Sequence, residues 1–415
     1  MTMNVTRGAM GASVLLLLCA FLLSGCGLRP LLSDVRWEPH TRISPNADGI
    51  DDLTRLYYTI GSEALVTIVF ESEDTRFVWR DQERRVAGEY EGWFSGVVND
   101  GVLPDGDYQV RLIAESLAGD EQASETVALS IVDADTVAPE ILNFEVTPGT
   151  ISPNRDGVRD EAIITYWLSK PMEKVQVYVL GADGKRYAVP SDEIRDPMDE
   201  GGHTQRFDGG AGLGAVPPPD GEYVVVAKAQ DKVGATTTVS TTLRLENGGI
   251  PLAQITRHDA DFSTEILVLG ETLFFTTTVT NSGNTAIRTH GPLPGTIYDS
   301  TVNYNNFNEP IQDGAWRLGL DFDGNPVYNG RRYPYRWQVG HNEELTEIDG
   351  ELYLLPGQEV TVTGGLRLLE MPPRERPGFW IGLIHENVRF VEDFVGTKYI
   401  TIEGQAGAPE LISNE

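Results

Sequence analysis

The 415-residue chain is poor in cysteine, histidine and positive charge, with 2 Cys, 6 His and 32 Lys plus Arg against 62 Asp plus Glu. Each shortage narrows what the protein does. The two cysteines, Cys19 and Cys26, sit at the N-terminus, which excludes cysteine catalysis in the body of the chain. The histidines fall at 40, 203, 258, 290, 341 and 385, with no His-x-x-x-His pair for zinc, and no Gly-x-Ser-x-Gly elbow is present. A formal charge of −30 repels nucleic acid and anionic headgroups, so a nucleic-acid partner and electrostatic membrane docking are both disfavoured. No stretch after residue 30 keeps a helical period for long. The 44 Gly and 24 Pro supply turn residues for many short strands instead.

One long apolar run does exist, from Ala9 to Leu23 behind Arg7. It is too short for a permanent span and has the charge pattern of an export signal. It closes on Leu23-Ser24-Gly25-Cys26, which resembles the bacterial lipobox. The resemblance implies a signal peptide over 1–25 and lipidation of Cys26, with 26–35 as lipidated residue and tether. Cleavage would discard Cys19 and leave Cys26 with its thiol acylated, so no disulfide forms even in an oxidising compartment. The expected location is extracytoplasmic, cell surface or periplasm, with the membrane as a partner through the lipid.

The chain repeats itself. Ile43-Ser44-Pro45-Asn46-Ala47-Asp48-Gly49-Ile50-Asp51-Asp52 returns 108 residues later as Ile151-Ser152-Pro153-Asn154-Arg155-Asp156-Gly157-Val158-Arg159-Asp160, identical at seven of ten positions. A second landmark follows in the same order, Pro104-Asp105-Gly106-Asp107-Tyr108 and then Pro219-Asp220-Gly221-Glu222-Tyr223. Pro presets φ and Gly accepts a positive φ, so each reads as a turn feeding a Tyr-led strand. With a Gly turn containing an aromatic between them (Trp93 to Gly96; Phe207-Asp208-Gly209), the three landmarks resemble the Ig-like domain of flagellar hook-capping proteins. The resemblance covers about residues 36 to 246 and implies β-sandwich spacer or adhesion modules without catalysis.

The expected fold is therefore all-β, tandem Ig-like β-sandwich domains over 36–134 and 138–247, with Pro139 and Pro251 in the linkers and a different β-sandwich over 252–404. Residues 405–415 read as a disordered tail. In the repeated loops Asn46, Asp48 and Asp52, and likewise Asn154, Asp156 and Asp160, alternate as hard oxygen ligands do, which makes Ca²⁺ the one cofactor to weigh. The EF-hand pattern fails, since its Gly is misplaced and Tyr57 or Thr165 stands where a bidentate Glu belongs. The competing reading is that Asn and Asp cap their own backbone in a tight turn.

In the third domain, Thr278-Val279-Thr280-Asn281-Ser282-Gly283 and Leu355-Pro356-Gly357-Gln358 resemble Ig-like modules that accompany bacterial adhesins and glycosidases. Between them Arg288 to Gly350 reads as a long insertion, rich in Tyr304, Trp316, Tyr333, Tyr335 and Trp337 beside Arg317, Arg331, Arg332 and Arg336. Exposed aromatic faces flanked by guanidinium and amide suit a sugar; packed inward, the same residues are a sandwich core. Trp380 is expected in that core. A glycan hydrolase would need two facing carboxylates, which 62 acidic residues can supply, Glu386 with an insertion acid such as Asp321 or Asp323 being one such pair. The composite expectation is a non-catalytic protein whose two repeats space out a domain that binds envelope glycan or another surface protein. A purely structural scaffold and a polysaccharide hydrolase stand as alternatives. Replacing Cys26 with Ala should move the protein from the membrane pellet to the soluble fraction on cell fractionation; retention in the pellet would refute lipidation at this residue.

Overall fold

In a computed structural model the described residues are 29–73, 75–191, 196–327 and 332–404. The signal segment, Cys26, Arg331 and the 405–415 tail lie outside them. The fold is all-β: every regular element among the described residues is a strand or a 3₁₀ turn, and no helix there is long and apolar enough to cross a membrane.

The first unit sandwiches two sheets. One is ordered Leu32–Glu38, Thr54–Ile60, Gly88–Phe94; the other runs Arg42–Ile43, Gln122–Ile131, Gly106–Ser116, Ala64–Glu71, Arg76–Arg85. Period-two alternation builds the core: Leu56, Tyr58 and Ile60 point inward from one strand, and Tyr108, Val110, Leu112 and Ala114 from another. Phe70, Phe94 and Trp37 pack between the sheets, with Phe70 and Phe94 stacked at 4.5 Å. The second unit has the same strand order, Ile141–Thr147, Ala162–Leu168, Gly201–Phe207 against Thr150–Ile151, Thr236–Leu245, Gly221–Gln230, Lys174–Gly181, Arg186–Ala188. Its core carries Ile164, Tyr166 and Leu168 at the matching positions.

The Pro-Asp-Gly-x-Tyr landmark has the same job in both copies. Tyr108 Oη donates to the Pro104 carbonyl at 2.8 Å and Tyr223 Oη to that of Pro219 at 2.6 Å. The Asp between them accepts the two backbone N–H groups that leave the last strand, from Asp133 and Ala134 to Asp105, and from Asn247 and Gly248 to Asp220. Each landmark thus ties the exit linker to its own sandwich. The middle landmark is corrected by the register: Phe94 pairs Thr54 as Phe207 pairs Ala162, and both are buried, whereas Trp93 is 55% exposed with Arg55 stacked over it at 4.0 Å. The tether is also shorter than expected. Leu31 and Leu32 already belong to the first core, and the Leu31 carbonyl accepts Gly61 N–H.

The C-terminal unit packs a sheet ordered Ala253–Ile255, Thr272–Asn281, Glu359–Arg367, Ile297–Asp299 on one ordered Thr346–Ile348, Glu351–Leu354, Ile287–Thr289, Trp316–Phe322, Gly378–His385, Arg389–Tyr399. The presumed insertion is therefore structural. Its Trp316–Phe322 is a central strand buried along its whole length, flanked by Gly378–His385 and by Tyr335–Gln338. Gly319 and Gly382 face each other across that pair, and Tyr333 lies over both: a Cβ on Gly319 would come within 2.6 Å of Tyr333 Cβ, and one on Gly382 within 2.4 Å of its ring. Only glycine leaves room for this ring, which bonds through its hydroxyl to Asp393.

Candidate functional site

The two copies of the Ser-Pro-Asn-x-Asp-Gly loop share an internal geometry. Asn46 Oδ1 accepts Asp48 N–H and Asp48 Oδ1 accepts Ile50 N–H; Asn154 and Asp156 repeat both bonds. The last Asp of the motif gathers the loop: Asp52 takes the N–H groups of Asn46, Ala47 and Gly49, and Asp160 those of Asn154, Arg155, Asp156 and Gly157. The side-chain oxygens proposed as calcium ligands are thus engaged as acceptors of loop amides, the arrangement of the turn reading. Among the described residues no group of three or more His, Cys, Asp or Glu is arranged to hold a metal ion.

The copies differ in what surrounds them. Asp48 is exposed, while Asn154 and Asp156 are 3% and 4% exposed because the second loop is inserted into the C-terminal unit. Tyr353 Oη donates to Asp156 Oδ2 at 3.0 Å, and Arg288 Nε donates to the Asp156 carbonyl at 2.7 Å. Arg288 also bonds the Asp313 carbonyl, Gln312 and Glu351, so one buried guanidinium joins the two units. His385 Nε2 bonds the Arg155 carbonyl at 2.8 Å, and Arg159 pairs with Asp349 at 2.5 Å. The backbones touch: a Cβ on Gly314 would lie 2.3 Å from the Asp156 carbonyl carbon, and one on Gly157 2.1 Å from the Asp313 oxygen. Both glycines have positive φ, so the contact requires them twice over.

Burial shifts the titration of this junction. The Asp156 carboxyl is pushed up by desolvation against the bonds from Val158, Tyr353 and Asn154. Asp160 is pushed up to about 6, by burial first and by Asp156 second. Burial pulls His385 down to about 4, so its ring is neutral at physiological pH and donates from Nε2. It stacks on Trp316 at 4.6 Å.

The aromatic residues expected to bind a sugar are the core of the C-terminal unit. Tyr304, Trp316, Tyr333, Tyr335 and Trp337 are each at most 2% exposed. Trp337 Nε1 donates to the Thr296 carbonyl and Tyr335 Oη to that of Ser300, so the polar ends of these two are used internally, while Trp316 Nε1 is buried without a hydrogen-bond partner among the described residues. Arg336 grips Glu386 through Nη1, at 2.7 and 2.5 Å, and Arg317 donates to the carbonyls of His290 and Pro310. Both guanidiniums lie over Tyr304. The hydrolase pair is not assembled: Asp321 is opposite Trp380 and Trp316 opposite His385, five residues away along the strand, or about 16 Å. Asp321 accepts the Tyr333 and Phe322 N–H groups and Asn325, and Asp323 accepts Gly378 N–H.

A different aromatic face is open. Phe379, Ile381 and Leu383 point inward, so Trp380 points out, contrary to its expected core place, and meets Phe394 at 4.9 Å. Phe390 and Phe394, 41% and 54% exposed, flank the Arg332 guanidinium at 4.8 and 5.0 Å, and Tyr399 is exposed further along the same edge strand. Strict alternation along 378–385 would have placed Trp380 outside. The Phe390–Phe394 spacing carries no such signal, because the edge strand is bulged repeatedly and Phe394 itself has a positive φ. Beneath Phe390 lies a cleft of about 450 Å³ lined by Arg332, Arg336, His385, Glu386 and Arg389.

No protein family and no curated protein matches the chain. Among solved structures it is similar to fibronectin(III)-like modules of Clostridium thermocellum CbhA, at 13% identity over 51% of this chain and 93% of that one, TM-score 0.20. It is also similar to a Corynebacterium diphtheriae protein described as membrane-anchored, at 10% identity over 91% and 93%, TM-score 0.19. A third is the mouse nectin-like molecule 4 ectodomain, Ig1–Ig3, at 12% identity over 89% and 99%, TM-score 0.19. The chain spans between 23% and 32% of four longer chains that it also matches. Overlays this loose carry no functional weight; the sheets described above define a chain of Ig-like β-sandwiches.

Two measurements check the junction. Asp156→Ala strands Tyr353 Oη and should cost about 2–3 kcal/mol in urea unfolding, whereas Asp48→Ala, losing one exposed turn bond, should cost about 0.5–1 kcal/mol; equal costs would refute the asymmetry. For His385, the unfolded chain takes up a proton between its ordinary 6.5 and the folded value of about 4, so this residue's stabilisation falls as pH drops through that window. Asp160 acts with the opposite sign, its contribution being present below 3.8 and lost as pH rises through about 6. The stability advantage of wild type over His385→Gln should therefore shrink from pH 6.5 to pH 4, by at most roughly 3 kcal/mol.

Proposed function

We propose that this protein is a non-catalytic, lipid-anchored envelope protein in which the two repeated sandwiches act as a spacer and the C-terminal unit presents a binding face. The observation that carries the reading is the inserted second loop. A sandwich with its own core needs no neighbour to fold, yet here Asp156, Arg288 and Tyr353 bury polar groups between units, which suits a rod that must hold its end in a set direction. The first junction is lighter: Lys170 bridges Asp135 in the linker to Asp231, and Asp100 bonds Thr236. Stiffness thus grows away from the proposed anchor at Cys26.

The presented face is the Trp380, Phe390, Phe394 and Arg332 group. Flat rings with an adjacent guanidinium suit either a pyranose of an envelope glycan or the aromatic and acidic side chains of a protein partner. The test is retention of the full chain on purified peptidoglycan, a polysaccharide panel and immobilised envelope protein, beside a Trp380→Ala, Phe394→Ala double variant. With Phe394 exposed and Trp380 half-buried on the outer face, the variant should fold and lose at least tenfold in retention on one matrix. Equal retention of the two proteins on every matrix would overturn this face and leave the structural scaffold.

A further inference from the structure

We infer that the junction between the second and C-terminal units contains an oxyanion-binding pocket built on Arg155 and Arg389. A cavity of about 210 Å³ opens there, with Arg155, His385 and Arg389 on its polar side and Ile250, Leu252 and Val388 among its walls. None of its lining residues is a carboxylate.

The two guanidiniums stand out at this junction. Acidic residues outnumber basic ones 62 to 32, and the other arginines around the junction are all paired: Arg159 with Asp349, Arg288 with Glu351, Arg332 with Asp393, Arg336 with Glu386. Arg155 and Arg389 have no ion pair or side-chain hydrogen bond among the described residues. Both line the same cavity as the buried His385 ring, and each disfavours its protonation. His385 already spends its Nε2 proton on the Arg155 carbonyl and remains neutral, so it adds no competing charge.

Internal comparison sharpens the point. The two loops differ at three positions, Ala47 and Arg155, Ile50 and Val158, and Asp51 and Arg159, of which the first and third bring in an arginine. Arg159 is accounted for by Asp349 across the junction. Arg155 is not, because among the described residues its one hydrogen bond across the junction is through its carbonyl, which any residue supplies. Its guanidinium is an addition specific to the copy that faces this cavity. Two forked donors at a small cavity with apolar walls and no carboxylate in its lining match a phosphate or a carboxylate, held by charge-assisted bonds. The oxyanion comes either as a free inorganic ion or as the head of a small organic acid whose body rests on Ile250, Leu252 and Val388.

The test is a ³¹P NMR titration of the full chain with inorganic phosphate at ionic strength held constant with sodium chloride, followed by displacement with acetate and with 4-methylpentanoate. Saturation at one phosphate per chain is expected, with Arg155→Gln and Arg389→Gln each weakening it at least tenfold. Arg159→Gln removes the same charge from the same loop and should weaken it less than twofold. Arg389 lies on the surface, so its variant reports even where Arg155→Gln disturbs the loop. Displacement by 4-methylpentanoate at tenfold lower concentration than acetate identifies an organic acid; equal displacement identifies the free ion. Non-saturating phosphate, or a loss in Arg159→Gln equal to that in Arg389→Gln, would overturn the site.

Discussion

The set of the C-terminal unit against the second sandwich depends on a polar contact, the burial of the Asp156 turn against Arg288 and Tyr353. A buried carboxyl and a buried guanidinium are each costly to desolvate, and removal of either partner strands the other. Here the cost is offset by completeness. Asp156 uses both carboxylate oxygens and its carbonyl, and Arg288 reaches two main-chain carbonyls and two side chains. Because the bonds are directional, the contact sets the angle between two units that otherwise have separate cores.

The repeat shows how such a contact arises without redesign of the loop. The Asn and Asp residues common to both copies make the same internal bonds, with one amide more on Asp160 than on Asp52, so the turn is self-sufficient and free to be exposed or covered. In the first copy it faces solvent. In the second, Gly157 and Gly314 permit main chains to touch, and Asp156 retains an oxygen for Tyr353. Spare acceptor capacity in a solvent-facing turn became an adhesive surface.

The C-terminal unit inverts the usual division between core and site. Its insertion holds the combination expected of a sugar-binding platform, yet Trp316, Trp337, Tyr335 and the Arg317–Arg336–Glu386 cluster are all internal. Tyr and Trp serve a core as well as a surface, and arginines over Tyr304 can neutralise a buried Glu386 as readily as they can greet a ligand. Composition is the same in both cases. The open face arises where bulges in Arg389–Tyr399 turn Phe390 and Phe394 outward beside Trp380, which local periodicity does not encode.

What the sequence determined by itself follows from short-range rules. The repeat, the Pro-Asp-Gly-x-Tyr turns, the alternating strands and the all-β class rest on φ preferences, Asx bonding and period-two burial, each complete within a few residues. Only tertiary structure decided that Asp156 is buried while Asp48 is not, that the insertion supplies a central strand, that Glu386 and Asp321 stand far apart, and that Arg155 and Arg389 share one cavity. Those facts depend on partners as far as 230 residues away, as His385 is from Arg155. A side chain's own chemistry does not reveal which distant backbone will cover it.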